Sequence, residues 1–441
     1  MVQRHRCGSP EWPGELSDFW PWPNSGRELV MSVRLDQVPP RAPRPARPRV
    51  WLWLGVLPLL LLLLGVCGTL LFGSQGLRQQ PVSFWGLTLG GPLLGWCLLS
   101  FGRVLLYFGQ QQVADGWDKA REEDLTHKIR RGRRVQQVLG VSLYTALRAP
   151  GEEEALQRAA LLSGTQAIKV QPSWLDRTML RHSRLPGITN ETCEYALLRV
   201  VEQVLGDLAQ PLMRLPDDTP LALLLAVDSA LPENVLQRVW RRAWSESGIR
   251  QSAVPVEEDG LEALDQWLDH RIGDRAVLLV VALRFMPQQP EGTAEAAVGL
   301  LFGNRLTQAL LPPIAHLHRP EQQREPTPGA LFYAARQALD WVPLEAQSIE
   351  QTWRAGIDAR RHEALATVLA EASLPAKHNH GFYDLDSQLG HPGKASPWLA
   401  IAAATQTIQC GAGPQFIFSG GDCVDTGLWS TVLTPVPSLS K

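Results

Sequence analysis

The sequence predicts an α/β protein carried behind a pair of apolar helices. The helices are predicted by two runs without a charged residue, Trp51 to Gly73 and Phe84 to Gly102. The α/β part is predicted by apolar runs without polar alternation, at 221–227, 276–284 and 294–303, separated by segments of helical spacing. Strands of that kind belong to a sheet covered on both faces. The composition agrees. A chain of 441 residues has room for two or three domains, and at 45% hydrophobic and 20% charged residues it can bury a core. Its 42 Lys+Arg against 44 Asp+Glu give a formal charge of −2, which argues against a general nucleic-acid binder. Its 6 cysteines contain no CxxC, so neither a disulfide scaffold nor a zinc site is expected, and a reducing compartment fits.

Residues 1–50 show no helical or strand period and are read as a disordered tail. Within it, 38–49 (VPPRAPRPARPR) alternates proline with arginine. Proline fixes φ and lacks a donor, so this is an extended linker, with its arginines at anionic lipid headgroups. Met31 is an alternative start. Residues 51–108 are read as a transmembrane hairpin. The first run is long enough for ~30 Å of hydrocarbon, with Trp51 and Trp53 at the interface. In the second run Gly86, Gly90, Gly91, Gly95 and Pro92 are tolerable where membrane helices pack. A cleaved signal peptide and a buried soluble second helix are the alternatives. Arg41, Arg44, Arg47 and Arg49 precede the pair, while Lys119, Arg121, Lys128, Arg130, Arg131, Arg133 and Arg134 follow it. The loop 74–83 holds only Arg78. Positive charge marks the cytoplasmic side, so 109–441 is expected in the cytoplasm.

The stretch 116–136 is charged and amphipathic and is read as a solvated, membrane-facing surface. The run 221–227 ends in Asp228 and Ser229. Pro232 then suits a first helical turn, and Val235/Leu236, Val239/Trp240 and Ala243/Trp244 recur at helical spacing. A helix at 259–271 places Leu261, Leu264, Trp267 and Leu268 on one face, followed by the strands 276–284 and 294–303. Helices follow at 329–341 and 357–372. A glycine-rich turn leads into an alanine-rich helix within 384–409, and strands at 414–422 and 428–435 close the chain. Residues 109–312 and 313–441 are read as the two halves of the α/β region.

Catalytic and metal motifs are sparse. There is no GxSxG, no GxxxxGK[ST] and no HExxH. His362-Glu363 lacks a second ligand downstream. His316/His318 and His378/His380 are read as surface histidines. Asp384 and Asp386 could suggest a divalent cation but are read as capping or turn residues. No catalytic residue, metal or cofactor is expected, and no partner-binding residue is singled out.

The order of elements resembles the thiolase-like fold of the β-ketoacyl synthases, a duplicated α/β domain with helices between two sheets. Four places carry the resemblance within 230–435: the Gly273-Asp274 turn with the strand 276–284, the small-residue strand 294–302, Leu389-Gly390-His391 with 392–396, and Phe418 to Asp422. The resemblance implies a catalytic cysteine at a helix N-terminus near Glu257 to Gly260, where this chain has none. It also implies a lysine five residues before His391, where Asp386 stands. Of the family's histidines, His391 alone has a counterpart here. The implied fold is therefore degenerate, without its chemistry. The layout of 120–435 further resembles the lipase-adaptor family of bacterial type VI secretion. That resemblance implies a non-enzymatic adaptor or chaperone in the inner membrane, with a phospholipase effector and the secretion spike protein as partners and no nucleic acid. The alternatives are a divergent acyl-transfer or condensing enzyme acting on membrane-derived acyl chains, and a structural subunit of an envelope complex. Exposed members of the 16 tryptophans are expected to anchor a partner, with Trp240, Trp244 and Trp267 in the core.

Overall fold

The computed structural model describes residues 33–437 except 37, 72–81, 83–85, 189–190, 309, 378–380 and 422–426. Most of the loop holding Arg78, and the pair His378/His380, thus lie outside the described residues. The first helices are α1 (Val50–Leu71) and α2 (Gly91–Gly132), the latter preceded by a π-helical turn at Gly86–Gly90. Both are long and apolar enough to cross a membrane. They pack together, and the Trp96 indole donates to the Trp53 carbonyl (2.8 Å). Leu62 and Leu70 on α1, and Leu94, Leu98 and Phe101 on α2, remain exposed, as lipid-facing residues would.

Helix α2 does not stop where its apolar run stops. Pro92 sits in its first turn, where proline is compatible with a helix, and no proline interrupts 93–132. The charged stretch expected as a separate surface is therefore the last part of the same helix, which passes through the expected boundary at 108. The proline-arginine segment lies along it. Ala42 N donates to Asp118 (2.9 Å), Trp117 Nε1 to the Pro40 carbonyl (3.2 Å), and Arg121 Nε to the Pro39 carbonyl (2.7 Å). Arg44, expected at lipid headgroups, instead pairs with Asp115 and Asp118 of α2. These carboxylates lie within one helical turn and so converge on a single guanidinium.

The remainder forms β1 (Val135–Thr145), α3 (Glu154–Leu162), β2 (Lys169–Pro172), β3 (Met179–His182), α4 (Cys193–Leu212), β4 (Leu221–Ser229), α5 (Glu233–Glu246), β5 (Ala253–Pro255), α6 (Gly260–His270), β6 (Val277–Phe285) and β7 (Ala296–Gly303). Then come β8 (Ala315–His318), β9 (Glu321–Gln322), α7 (Pro328–Trp341), β10 (Gln351–Ala355), α8 (His362–Glu371), β11 (Phe382–Asp384), α9 (Leu385–Leu389), α10 (Ser396–Gln409), β12 (Gln415–Ser419) and β13 (Trp429–Pro435).

The strand order shows a duplication. In the first half the order is β5-β4-β6-β7-β1, and its successive pairings are parallel, parallel, antiparallel and antiparallel. In the second half the order β11-β10-β12-β13-β8 repeats that series of pairings. The expected two sheets are joined: β1 pairs antiparallel with β8, from Val135↔His318 to Val138↔Ala315, giving one eleven-stranded sheet.

Three packed layers of side chains follow from this topology. Between the halves lie α6 and α10, whose Leu264, Leu268, Trp398 and Ile401 share a core with Val138, Leu278 and Val298 of one half and Trp353, Ile417 and Leu433 of the other. Helix α10 is buried from Ser396 through Ile408, and its alanines let strands from both halves approach. Each fully buried Leu or Ile there contributes about 1.5–3 kcal/mol. Outside the first half, α4 and α5 pack on the other face of the sheet. Outside the second half, α7 and α8 do the same.

The foot of α2 is fastened to this body by charge. Arg319, just before β9, is 1% exposed. It bonds Asp265 (2.5 Å) and Asp269 (2.5 Å) of α6 and donates to the Arg131 carbonyl at the end of α2 (2.9 Å). Asp269 also takes Arg131 (2.6 Å) and Arg134 (3.2 Å). Burial pushes the Asp269 carboxyl up, but hydrogen bonds from Arg131 and Arg319 outweigh it and hold the group below its ordinary value. At Asp265 burial prevails over Arg319, and the carboxyl is raised. Beside the cluster Gly132 lies against the Trp341 ring, whose Nε1 donates to Glu321 (2.7 Å).

His316 and His318 are not surface histidines. They lie in β8 at the seam between the halves, and His318 Nε2 meets Thr434 Oγ1 (3.0 Å). Burial, with His316 adjacent, pushes His318 down to about 3. Trp267 is buried as expected, whereas Trp240 and Trp244 are half-buried neighbours on α5, 5.7 Å apart.

Candidate functional site

Parallel strands end together, and the loops leaving them enclose space. Beyond the C-terminal ends of β10 and β12 lies a cleft of about 420 Å³. Its walls come from Gly292, from Arg354, from Gly356 to Ala359, from Arg361 and His362, from Asp386 and Ser387, from His391, and from Gly420 and Gly421. The turn after β10 is tight because Gly356 has φ +70°, and a Cβ on Gly420 would meet the Gly356 carbonyl.

Asp384 and Asp386 take the capping and turn roles read from the sequence. Asp384 ends β11, caps α9 by accepting from Ser387 N (3.2 Å), and receives Arg354 Nε (3.0 Å). Asp386 lies in the first turn of α9 and accepts the Gly356 and Ile357 amides (2.7 and 2.9 Å). Its role is to hold the turn that forms the cleft wall. Burial pushes its carboxyl up to about 7 against the pull of those two amides. The same cause raises Glu295 to about 7, where it accepts from Leu185 and Met286 (3.0 Å each), and Glu321 to about 7.

His391 is committed to the backbone. Its Nδ1 accepts from Gly393 N (3.1 Å), which leaves the ring proton on Nε2. Arg284 Nη1 stands 3.5 Å from Nδ1, and Arg284 in turn pairs with Asp228 (3.2 Å). Burial first, and Arg284 second, push the imidazole below its ordinary value. His362 Nε2 lies 3.3 Å from the Ile357 carbonyl.

The region Glu257 to Gly260 is a helix start and not part of this cleft. Asp259 accepts the Gly260 amide (2.9 Å) and pairs with Lys394 (3.6 Å), and Gly260 has φ +59°. Cys67, Cys97, Cys193 and Cys410 are free thiols, and none lines the cleft. Among the described residues no group of three or more His, Cys, Asp or Glu could hold a metal ion. The sequence reading named His391 and Asp386, considered His362 only as half of a metal motif, and missed Arg354 and Arg361; the topology brings all five to the same cleft. No apolar run marks β10, whose residues are Gln351, Thr352, Trp353, Arg354 and Ala355, so nothing in the local pattern pointed to the loop that follows it.

The buried carboxyls predict a pH effect. Folded, Asp386, Glu295 and Glu321 hold a proton to about pH 7, whereas an unfolded chain releases it near ~4. The native state binds more protons across that window, so their contribution falls as pH rises through it and levels off above about 7. Asp386→Asn is expected to flatten the slope of unfolding free energy between about pH 4 and 7. Urea melts at several pH values measure this; an unchanged slope would mean that Asp386 titrates normally.

No family model matches the chain, and no curated protein does. Solved structures do. The ishigamide ketosynthase/chain length factor is 16% identical, with 69% of this chain and 100% of that one covered and a TM-score of 0.49. The PfaC keto synthase-chain length factor is 13% identical with a TM-score of 0.47, and the match covers 69% of this chain but 43% of the longer PfaC chain. The 3-oxoacyl-[acyl-carrier-protein] synthase III of Aquifex aeolicus is 10% identical, with 68% of this chain and 99% of that one covered and a TM-score of 0.39. The chain is similar to these thiolase-like proteins in its α/β fold, and at such identities and TM-scores no activity, substrate or partner is carried over.

Proposed function

We propose that the protein is a non-enzymatic adaptor anchored in the bacterial inner membrane. Its large domain lies in the cytoplasm, where it holds a phospholipase effector and presents it to the spike protein of a type VI secretion system. The reading is supported by the cleft. The His391 imidazole and the buried Asp386 carboxyl accept backbone amides, the His362 ring lies against the Ile357 carbonyl, and no thiol among the described residues faces the cleft. Covalent acyl transfer needs an activated nucleophile beside a base, whereas an adaptor needs a rigid body and a surface. Helices α1 and α2, long and apolar enough to cross a membrane, supply the anchor.

The test is secretion in a deletion strain. The lipase is expected to stay inside the cell without this protein and to be released again on complementation. Incubation of the purified chain with an acyl thioester is expected to leave Cys193, Cys410 and Cys423 unmodified. Normal lipase secretion in the deletion strain would overturn the adaptor role, and a stable acyl adduct would favour the condensing-enzyme alternative.

A further inference from the structure

The segment from β2 to β3 forms a two-stranded sheet of its own, apart from the eleven-stranded one. A lone hairpin is marginal in water, and this one is held from one side. His182 is 1% exposed, Gln171 Nε2 donates to the His182 carbonyl (2.9 Å), and Ser183 bridges to Ala294. The Arg181 carbonyl accepts the Gly292 amide (2.8 Å), and the Gly292 carbonyl accepts the His391 amide (2.9 Å). The hairpin therefore grows from the rim of the cleft.

Among the described residues nothing covers its opposite face. The register sets Val170 against Arg181 and Pro172 against Met179, which puts all of them on one side of the ribbon. Val170 is 62% exposed and Met179 61%, with Leu175 at the tip 48%. Arg177 and Arg181 are exposed as well. Asp176, the one acid between 169 and 182, is turned onto the Thr178 amide and hydroxyl (3.1 and 2.7 Å).

We infer that this face, Val170/Pro172/Met179 with Leu175, Arg177 and Arg181, is where the phospholipase effector docks, through an apolar patch edged with carboxylates. The inference rests on the adaptor reading above. Apolar side chains bordered by arginines select a partner that brings both apolar area and negative charge, and the unbranched thioether of Met179 adapts to an irregular surface. An anionic bilayer offers the same charge. However, the roughly 30 residues of α2 from Arg103 to Gly132 put about 45 Å between the end of the apolar span and the body, which favours a protein.

The experiment uses the full-length chain in detergent with tagged lipase as the probe. Val170→Asp with Met179→Glu, and separately Arg177→Glu with Arg181→Glu, are each expected to weaken lipase binding about 30-fold or more. Leu310→Glu, an exposed apolar residue elsewhere (51%), should stay within about twofold. All these side chains are exposed, so thermal unfolding should not move. If the wild type holds the lipase and both hairpin pairs hold it equally well, the hairpin is not the site although the adaptor reading stands. If the wild type holds no lipase, the adaptor reading falls and the docking site with it. Loss of self-association by light scattering, or of binding to phosphatidylglycerol vesicles, with the lipase still held would assign the face to a second copy or to lipid and overturn the inference.

Discussion

Replacing Arg319 with leucine is expected to cost about 3–5 kcal/mol of stability. The guanidinium is 1% exposed and serves two carboxylates and two carbonyls at once. Without it Asp265, whose carboxyl burial already raises, loses the guanidinium bonded to it and keeps only the nearby charge of Arg131. Asp269 keeps Arg131 and Arg134, so most of the loss falls on Asp265 and on the junction of α6 with α2. Lysine is a poor substitute, because a point charge on a flexible stem cannot reproduce a planar fork with several fixed donors. Arg319→Lys is expected to lose most of the same stability, and Arg319→Leu with Asp265→Leu less than Arg319→Leu alone. Tryptophan-fluorescence urea melts of the full chain in detergent measure all three. A cost under about 1 kcal/mol, the range of exposed pairs, would show that water reaches the cluster.

Gly390→Val should be comparably damaging, for a steric reason. Gly390 has φ 98° and ψ 177°, a conformation essentially limited to glycine that costs about 1–3 kcal/mol for other residues. A Cβ there would also lie 2.6 Å from the Thr293 carbonyl oxygen. That oxygen is backbone and already accepts the Ser183 amide (3.0 Å), so it cannot swing aside. The two effects together are expected to exceed about 3 kcal/mol. Because Ser183 follows β3, hydrogen exchange at its amide should accelerate in any variant that still folds. A fully stable Gly390→Val with a protected Ser183 amide would contradict this geometry.

The legible parts of the fold were those whose apolar pattern is undiluted. Val277–Phe285 and Ala296–Gly303 read as buried strands because every residue along them except Arg284 is apolar or small, and α5 and α6 read as helices because one face repeats. Residues 137–220 stayed unassigned. In β1, Gln136, Gln137 and Ser142 are buried among apolar residues, which breaks the run that marks a covered strand. Helix α4 carried a readable signal in Leu197, Val201, Val204, Leu205 and Leu208, and it was passed over. The joining of the half-sheets through β1 and β8 has no local signature, since pairing partners nearly 180 residues apart are set by topology. The cleft was half legible for the same reason. His391 and Asp386 lie together in sequence, but Gly292, Arg354, His362 and Gly420 reach them only through strand order. The continuity of α2 was hidden by its composition, because its two ends meet different surroundings while its backbone does not change.

That continuity gives the molecule a bearing as well as an anchor. An α-helix turns about 100° and advances about 1.5 Å per residue, so the number of residues between the apolar span and the clamp sets the azimuth of the body about the helix axis. One residue added between Arg121 and Lys128, beyond the last bond from the proline-arginine segment and before the Arg131 cluster, would swing the cleft and its hairpin by about 100°. Seven would return the heading to within about 20° while lengthening the reach by about 10 Å. The helix acts as an indexing shaft, and the direction from which anything meets the hairpin is written in its residue count.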